Sequence, residues 1–112
     1  MSDDTLYLEH IVERCERVAK SIASGRDNFY GSEEKQDAVI RNIEVIGEAA
    51  KRISASTRQT IVSIDWRAIC GMRDVLIHNY VGVDLEEVWN VALNDLPKLE
   101  TALRAHLRTL KS

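Results

Sequence analysis

Apolar residues recur every three or four positions along most of this chain, and that spacing commits it to helices packed against one another. Leu8, Ile11, Cys15, Val18 and Ile22 form one stripe, which predicts a helix over about residues 4–24 with Gly25 at its stop. Ser32 supplies an N-cap for a second helix over about 33–55, striped by Val39, Ile43, Ile46, Ala50 and Ile53. Ile40 and Val45 widen that stripe, so the helix is expected to touch more than one neighbour. Residues 56–63 hold no clear period and are expected to form at most a short helical turn. Asp65 then caps a third helix over about 66–79, and Gly82 marks the break after it. Asp84, with Glu87 three residues on, resembles a capping box and opens a last helical stretch that reaches residue 110. Within it Pro97 forces a kink or a restart. No segment alternates as a strand does. Short connections between long amphipathic helices favour antiparallel neighbours, so the expected fold is all-α, an up-and-down bundle of four or five helices.

Composition narrows the class further. With 112 residues the chain suits one domain over 1–112, and 45% hydrophobic content with a single Pro and five Gly excludes disorder and a many-stranded β sandwich. The net charge of -3 means that any nucleic-acid site must be a local patch. No apolar run approaches the ~18 residues of a membrane span. The start Met1-Ser2-Asp3-Asp4 is the opposite of a signal peptide's basic region, so no membrane association and a cytoplasmic location are expected. Cys15 and Cys70 both sit inside apolar patterns, where a free thiol behaves as a small hydrophobe.

The third helix carries an anomaly. With Arg73 at zero on a helical wheel, Trp66, Ile69, Cys70, Leu76, Ile77 and Tyr80 all fall within roughly 60° of it. A guanidinium on an apolar stripe must meet a carboxylate, snorkel past the edge of the core, or open into a cleft or subunit interface that takes an anion. His78 lies about 140° away from Arg73, at the polar edge, with Asp74 as its i−4 neighbour. A carboxylate beside an imidazole fixes its tautomer and raises its pKa, which suits acid and base work near neutral pH. The alternative is an ordinary surface pair near a helix C-terminus. On one ideal helix Arg73 and His78 do not converge, so a joint site needs the reach of the Arg, a distorted helix end or a second subunit.

The run Gly71-Met72-Arg73-Asp74-Val75-Leu76-Ile77-His78-Asn79-Tyr80 contains Arg, four residues, His, one residue, Tyr. It resembles the R-x4-H-x-Y motif of the HEPN ribonucleases, specifically the HepT-like toxins. The likeness continues through residues 38–52 (AVIRNIEVIGEAAKR), Asp65-Trp66-Arg67, Gly82-Val83-Asp84, Val88-Trp89 and Asp95-Leu96-Pro97. The resemblance implies an all-helical homodimer that cleaves RNA, whether tRNA or mRNA, without a metal or other cofactor, at a composite site on the dimer interface. It implies catalytic roles for Arg73, Asp74, His78 and Tyr80. It also implies a partner, a small MNT-type nucleotidyltransferase antitoxin that neutralises the toxin by attaching AMP to Tyr80. The alternative within the same resemblance is a catalytically silent HEPN dimer that serves as a binding or regulatory module.

The chemistry open to such residues is in-line attack of a ribose 2′-OH on the adjacent phosphorus. His78 would move the proton, Arg73 would clamp the phosphate, Asp74 would orient His78, and Tyr80 would hydrogen-bond the phosphate or simply close the core. A homodimer is also expected because Arg73 on an apolar stripe, with Trp66 beside it, leaves more apolar surface than one helical layer covers. Elsewhere the signals are weaker. His10 and His106 have no partner at metal-ligand spacing, and Arg104, Arg108 and Lys111 make a basic helix end that is solvated or, as the alternative, contacts RNA backbone. Glu44 and Glu48 form an acidic edge on the second helix, from which Glu48 can reach an Arg of another helix or subunit.

Overall fold

The computed structural model describes residues 4–77 and 84–111. Seven α-helices appear among them: α1 (Asp4–Ile22), α2 (Arg26–Tyr30), α3 (Glu33–Lys51), α4 (Ala55–Thr60), α5 (Trp66–Ile77), α6 (Leu85–Asn90) and α7 (Leu96–Leu110). The four long helices α1, α3, α5 and α7 are those expected from periodicity, and the fold is an all-α bundle. None of the described helices is long and apolar enough to cross a membrane.

The central element is α3, which packs on α1 along one flank and α5 along another. Its wide apolar stripe serves both: Val39, Ile43, Ile46 and Ala50 are fully buried. Helices α1 and α3 run antiparallel. Asp4 at the start of α1 accepts hydrogen bonds from the Ser54 backbone N–H and hydroxyl and from the Thr57 hydroxyl just beyond α3. Further along, Arg14 Nη1 donates to Asn42 Oδ1 at 3.1 Å, and Asn42 Nδ2 donates to the Ala38 carbonyl at 2.8 Å. This polar pair at a mostly apolar seam pins the register of the two helices. Helix α7 returns along α1 and seats Leu96, Leu99 and Leu103 in the core.

Boundaries follow local chemistry. Gly25 adopts a φ of 100°, the left-handed side that ends α1 and turns the chain. The Ser32 hydroxyl accepts from Lys35 N at 3.2 Å, as its N-cap role requires. Helix α3 stops at Lys51, short of the expected residue 55, because Ser54 is extended and its hydroxyl already caps α4 by accepting from Thr57 N. Ile53 nevertheless stays buried in the turn. Helix α2 was not expected. Its five residues are too few to display a period, and it exists to insert Phe29, fully buried, against Tyr30 at 5.6 Å and Trp89 of α6 at 5.4 Å between ring centroids. The Asp84 carboxylate accepts from Glu86 N and Glu87 N and so caps α6. The break demanded by Pro97 takes the form of a wide π turn over Val91–Asp95, after which Pro97 lies in the first turn of α7, where its missing N–H costs nothing.

Candidate functional site

The candidate site is built on α5, and the start of that helix is fastened to the end of α3. Asp65 Oδ1 accepts from Ala68 N at 3.1 Å, the cap expected from sequence. Trp66 is buried and donates its indole N–H to the Ile61 carbonyl at 3.3 Å. Above its ring, at 5.9 Å from the centroid, sits the Arg58 guanidinium. Arg58 Nη2 donates to the Ala50 carbonyl at 2.8 Å and Nε to the Ile53 carbonyl at 3.1 Å, tying the turn that follows α3 back to its last carbonyls. Sequence reasoning passed over Arg58 because it lies in the aperiodic segment; an Arg one turn beyond a helix C-terminus was the signal available. The burial of Trp66 also corrects one ground for expecting a dimer, since this ring is covered within the protomer.

Further along α5 the two helices approach at a glycine. A Cβ built on Gly47 would stand 3.6 Å from the Arg73 Cβ and 3.7 Å from the Ile69 carbonyl, so the bare backbone of α3 at this point lets α5 sit close. The Cβ of Arg73 lies in that seam while its head emerges at the rim, leaving the side chain 39% exposed. Its place on the apolar stripe is therefore resolved by snorkelling rather than by burial. Two carboxylates flank the guanidinium: Glu48 Oε1 is 3.9 Å from Nε, and Asp74 Oδ1 is 3.9 Å from Nη1. Both distances exceed a hydrogen bond, and among the described residues none is made by this guanidinium. The same Glu48 oxygen also lies 3.6 Å from Lys51 Nζ. The expectation that Glu48 meets an Arg of another helix is thus realised within the chain.

Arg73 and Asp74 are brought together with Glu48; His78 and Tyr80 lie outside the described residues, as does the expected contact of Asp74 with His78. On the flank of α5 away from α3, Ala68, Gly71, Met72 and Leu76 line a hollow closed on its far side by Val91 and Asp95. A Cβ on Gly71 would meet nothing within 4 Å, so this flank is open.

Other candidates resolve simply. Arg104 Nε donates to Glu100 at 2.8 Å and Nη2 pairs with Glu16 at 3.2 Å, which raises the guanidinium pKa and commits the first member of the basic cluster to α1 and α7. Both cysteines are free thiols. Burial pushes the Cys15 thiol up to about 12, so it stays protonated and packs as an apolar group. Among the described residues no three His, Cys, Asp or Glu side chains gather as metal ligands do.

Across residues 8–106, from α1 to α7, the chain matches the family described as Ribonuclease HepT-like. It is 42% identical over 99 residues to the "Gamma-glutamylcyclotransferase and putative RNase" of Methanocaldococcus jannaschii, covering 88% of this chain and 45% of that longer protein. A "Putative RNase" of Caldanaerobacter subterraneus subsp. tengcongensis is 34% identical over 106 residues, 94% of this chain and 95% of its own. The "Probable ribonuclease HepT" of Thermococcus cleftensis is 38% identical over 95 residues, 84% of this chain and 86% of its own. No solved structure matches. The family match spans the helices that build the bundle and the seam that presents Arg73, and the chain belongs to the ribonuclease HepT-like family.

Proposed function

We propose that this protein is a metal-independent endoribonuclease toxin, acting as a homodimer with its site at the subunit interface and held in check by a nucleotidyltransferase antitoxin. The observation that carries the reading is Arg73: a guanidinium whose Cβ is held in a helix seam, whose head is exposed, and whose donors are free of hydrogen bonds among the described residues. A planar fork in that state suits a phosphate oxyanion. Membership of the ribonuclease HepT-like family and the ribonuclease names of its relatives support RNA as the polyanion.

In this reading the ribose 2′-oxygen attacks the adjacent phosphorus and gives its proton to His78. The bond from phosphorus to the 5′-oxygen breaks, that oxygen takes up a proton, and a 2′,3′-cyclic phosphate remains on the upstream fragment. Arg73 neutralises charge on the non-bridging oxygens as it grows. Asp74 steadies the edge of the site between Arg73 and the helix end. In this reading the second protomer docks on the open flank of α5 at Gly71, bringing a second copy of the motif to the site.

Purified protein and a short RNA test this directly. Cleavage is expected to persist in EDTA, to leave a 2′,3′-cyclic end, and to stop at a 2′-deoxy sugar placed at the scissile position. Arg73→Ala and His78→Ala are expected to stay folded and to lose activity, and their expression is expected to spare growth where the wild type slows it. If RNA is bound but never cut, the chain is instead a silent binding module; if His78→Ala cuts as well as wild type, the mechanism is wrong. Control by the antitoxin is read from intact mass after co-expression with a cognate nucleotidyltransferase. An AMP-sized increment is expected on the wild type and not on Tyr80→Phe, and its persistence on Tyr80→Phe overturns that assignment.

A further inference from the structure

The same rim holds a group whose role is separate from the motif. Glu48 stands on α3, outside the Arg-to-Tyr run, yet its Oε1 lies 3.9 Å from Nε of Arg73 and is shared with Lys51 Nζ at 3.6 Å. Asp74 faces the Nη1 side at an equal distance. Along the rim the charges therefore alternate as Lys51, Glu48, Arg73, Asp74. Both glutamate and arginine are well exposed, so this is a poor device for stability: surface ion pairs at such distances contribute little. It is a good device for aiming. An arginine side chain has four rotatable bonds, and only its first carbon is held in the seam with Gly47. A carboxylate on each side confines the sweep of the head without occupying its donors, because neither is close enough to form a hydrogen bond.

We propose that Glu48 is a positioning residue for Arg73, a resident counter-anion that keeps the guanidinium at the rim and yields when a phosphate arrives. The proposal rests on Arg73 being the phosphate clamp. Its cost is electrostatic: a fixed negative charge within several ångströms of the incoming phosphate weakens ground-state binding. Its benefit is a guanidinium already oriented when charge develops on the phosphoryl oxygens, which accelerates the chemical step. Removing the charge while keeping the shape should therefore move binding and turnover in opposite directions, which a structural role would not do.

The test uses the full-length protein with two RNAs, one cleavable and one blocked by a 2′-deoxy sugar at the scissile position. Glu48→Gln is expected to bind the blocked RNA about three- to tenfold more tightly at low salt, a gain that shrinks at high salt. Its single-turnover rate on saturating cleavable RNA is expected to fall by a similar factor or more. Glu48→Asp, which keeps the charge on a shorter arm, is expected to bind as the wild type does and to cut more slowly. Arg73→Ala serves as the reference for the site. If Arg73→Ala abolishes cleavage while Glu48→Gln matches wild type in both binding and rate, the positioning role is overturned and the clamp stands. If Glu48→Gln loses binding as well as rate, the carboxylate is not a counter-anion and the proposal also falls. If Arg73→Ala itself leaves binding and cleavage unchanged, the underlying reading of the site has failed and the role of Glu48 fails with it.

Discussion

Arg58 and Arg73 divide between them the two uses of a guanidinium near a core. Arg58 spends its donors on the Ala50 and Ile53 carbonyls and lies over Trp66, whereas Arg73 hydrogen-bonds to none of the described residues. Their alanine variants should separate accordingly. Arg58→Ala removes the side-chain donors to the Ala50 and Ile53 carbonyls, of which Ala50 keeps its backbone bond from Ile53 N, and is expected to cost about 1–2 kcal/mol in urea unfolding. Arg58→Lys should recover only part of this, since an ammonium cannot serve two carbonyls and an aromatic face with one planar group. Arg73→Ala removes two loose surface pairs and is expected to shift stability by less than about 1 kcal/mol while abolishing cleavage. A greater loss of stability from Arg73→Ala than from Arg58→Ala would reverse the roles given to them.

Between elements, the seam of α3 and α5 is set by Gly47. The distance of 3.6 Å from its hypothetical Cβ to the Arg73 Cβ is ordinary van der Waals contact, so a methyl group fits without displacing α5. Gly47→Ala should therefore be neutral or stabilising, by up to about 1 kcal/mol from helix propensity. Gly47→Leu has no such room; it should push α5 outward, lower the urea midpoint and misdirect Arg73, so that cleavage falls more than stability explains. Equal activity in Gly47→Leu and the wild type would remove the seam from the account of the site. How far such features are legible in sequence depends on their periodicity. The long helices announce themselves because their stripes repeat over several turns, and Ser32, Asp65 and Asp84 mark their starts by side-chain chemistry that acts locally. Helix α2 leaves no such trace, since one buried Phe29 in five residues has no period. Pro97 signals a break but not the π turn that absorbs it. At the site, the wheel found Arg73 on the apolar stripe but left open whether it meets a carboxylate, snorkels past the core edge or opens to an anion, because a wheel assigns an angle to the Cα and cannot see where a long side chain ends. Arg58 escaped for a related reason: its role comes from a turn that brings it back to α3.

At the scale of the molecule, the core and the surface make different demands that two measurements can separate. Cys15 is a protonated thiol sealed between α1 and α7, whereas Cys70 is partly exposed. An alkylating reagent should therefore label Cys70 in the native protein and reach Cys15 only through global opening, at a rate that rises with urea. Prompt labelling of Cys15 in native buffer would show that this part of the core is not closed. For RNA the decisive quantity is charge. A chain of net charge -3 cannot hold a polyanion by its overall field, so binding must come from a few placed cations. Arg104 is already committed to Glu100 and Glu16, which leaves Arg73, with Lys51 beside Glu48 on the same rim, as the cation placed for phosphate at the candidate site. If the two Arg73 residues of a dimer neutralise one or two phosphates, a log-log plot of affinity for a blocked single-stranded RNA against salt should have a slope of about -0.7 to -1.4. Sedimentation in the same buffers should show a dimer at micromolar concentration, and Arg73→Ala should flatten the slope toward zero without dissociating it. A steep slope that survives Arg73→Ala and collapses on replacing Arg108 and Lys111 would move the RNA to the far end of α7, and a stable monomer would leave the shared site without its second half.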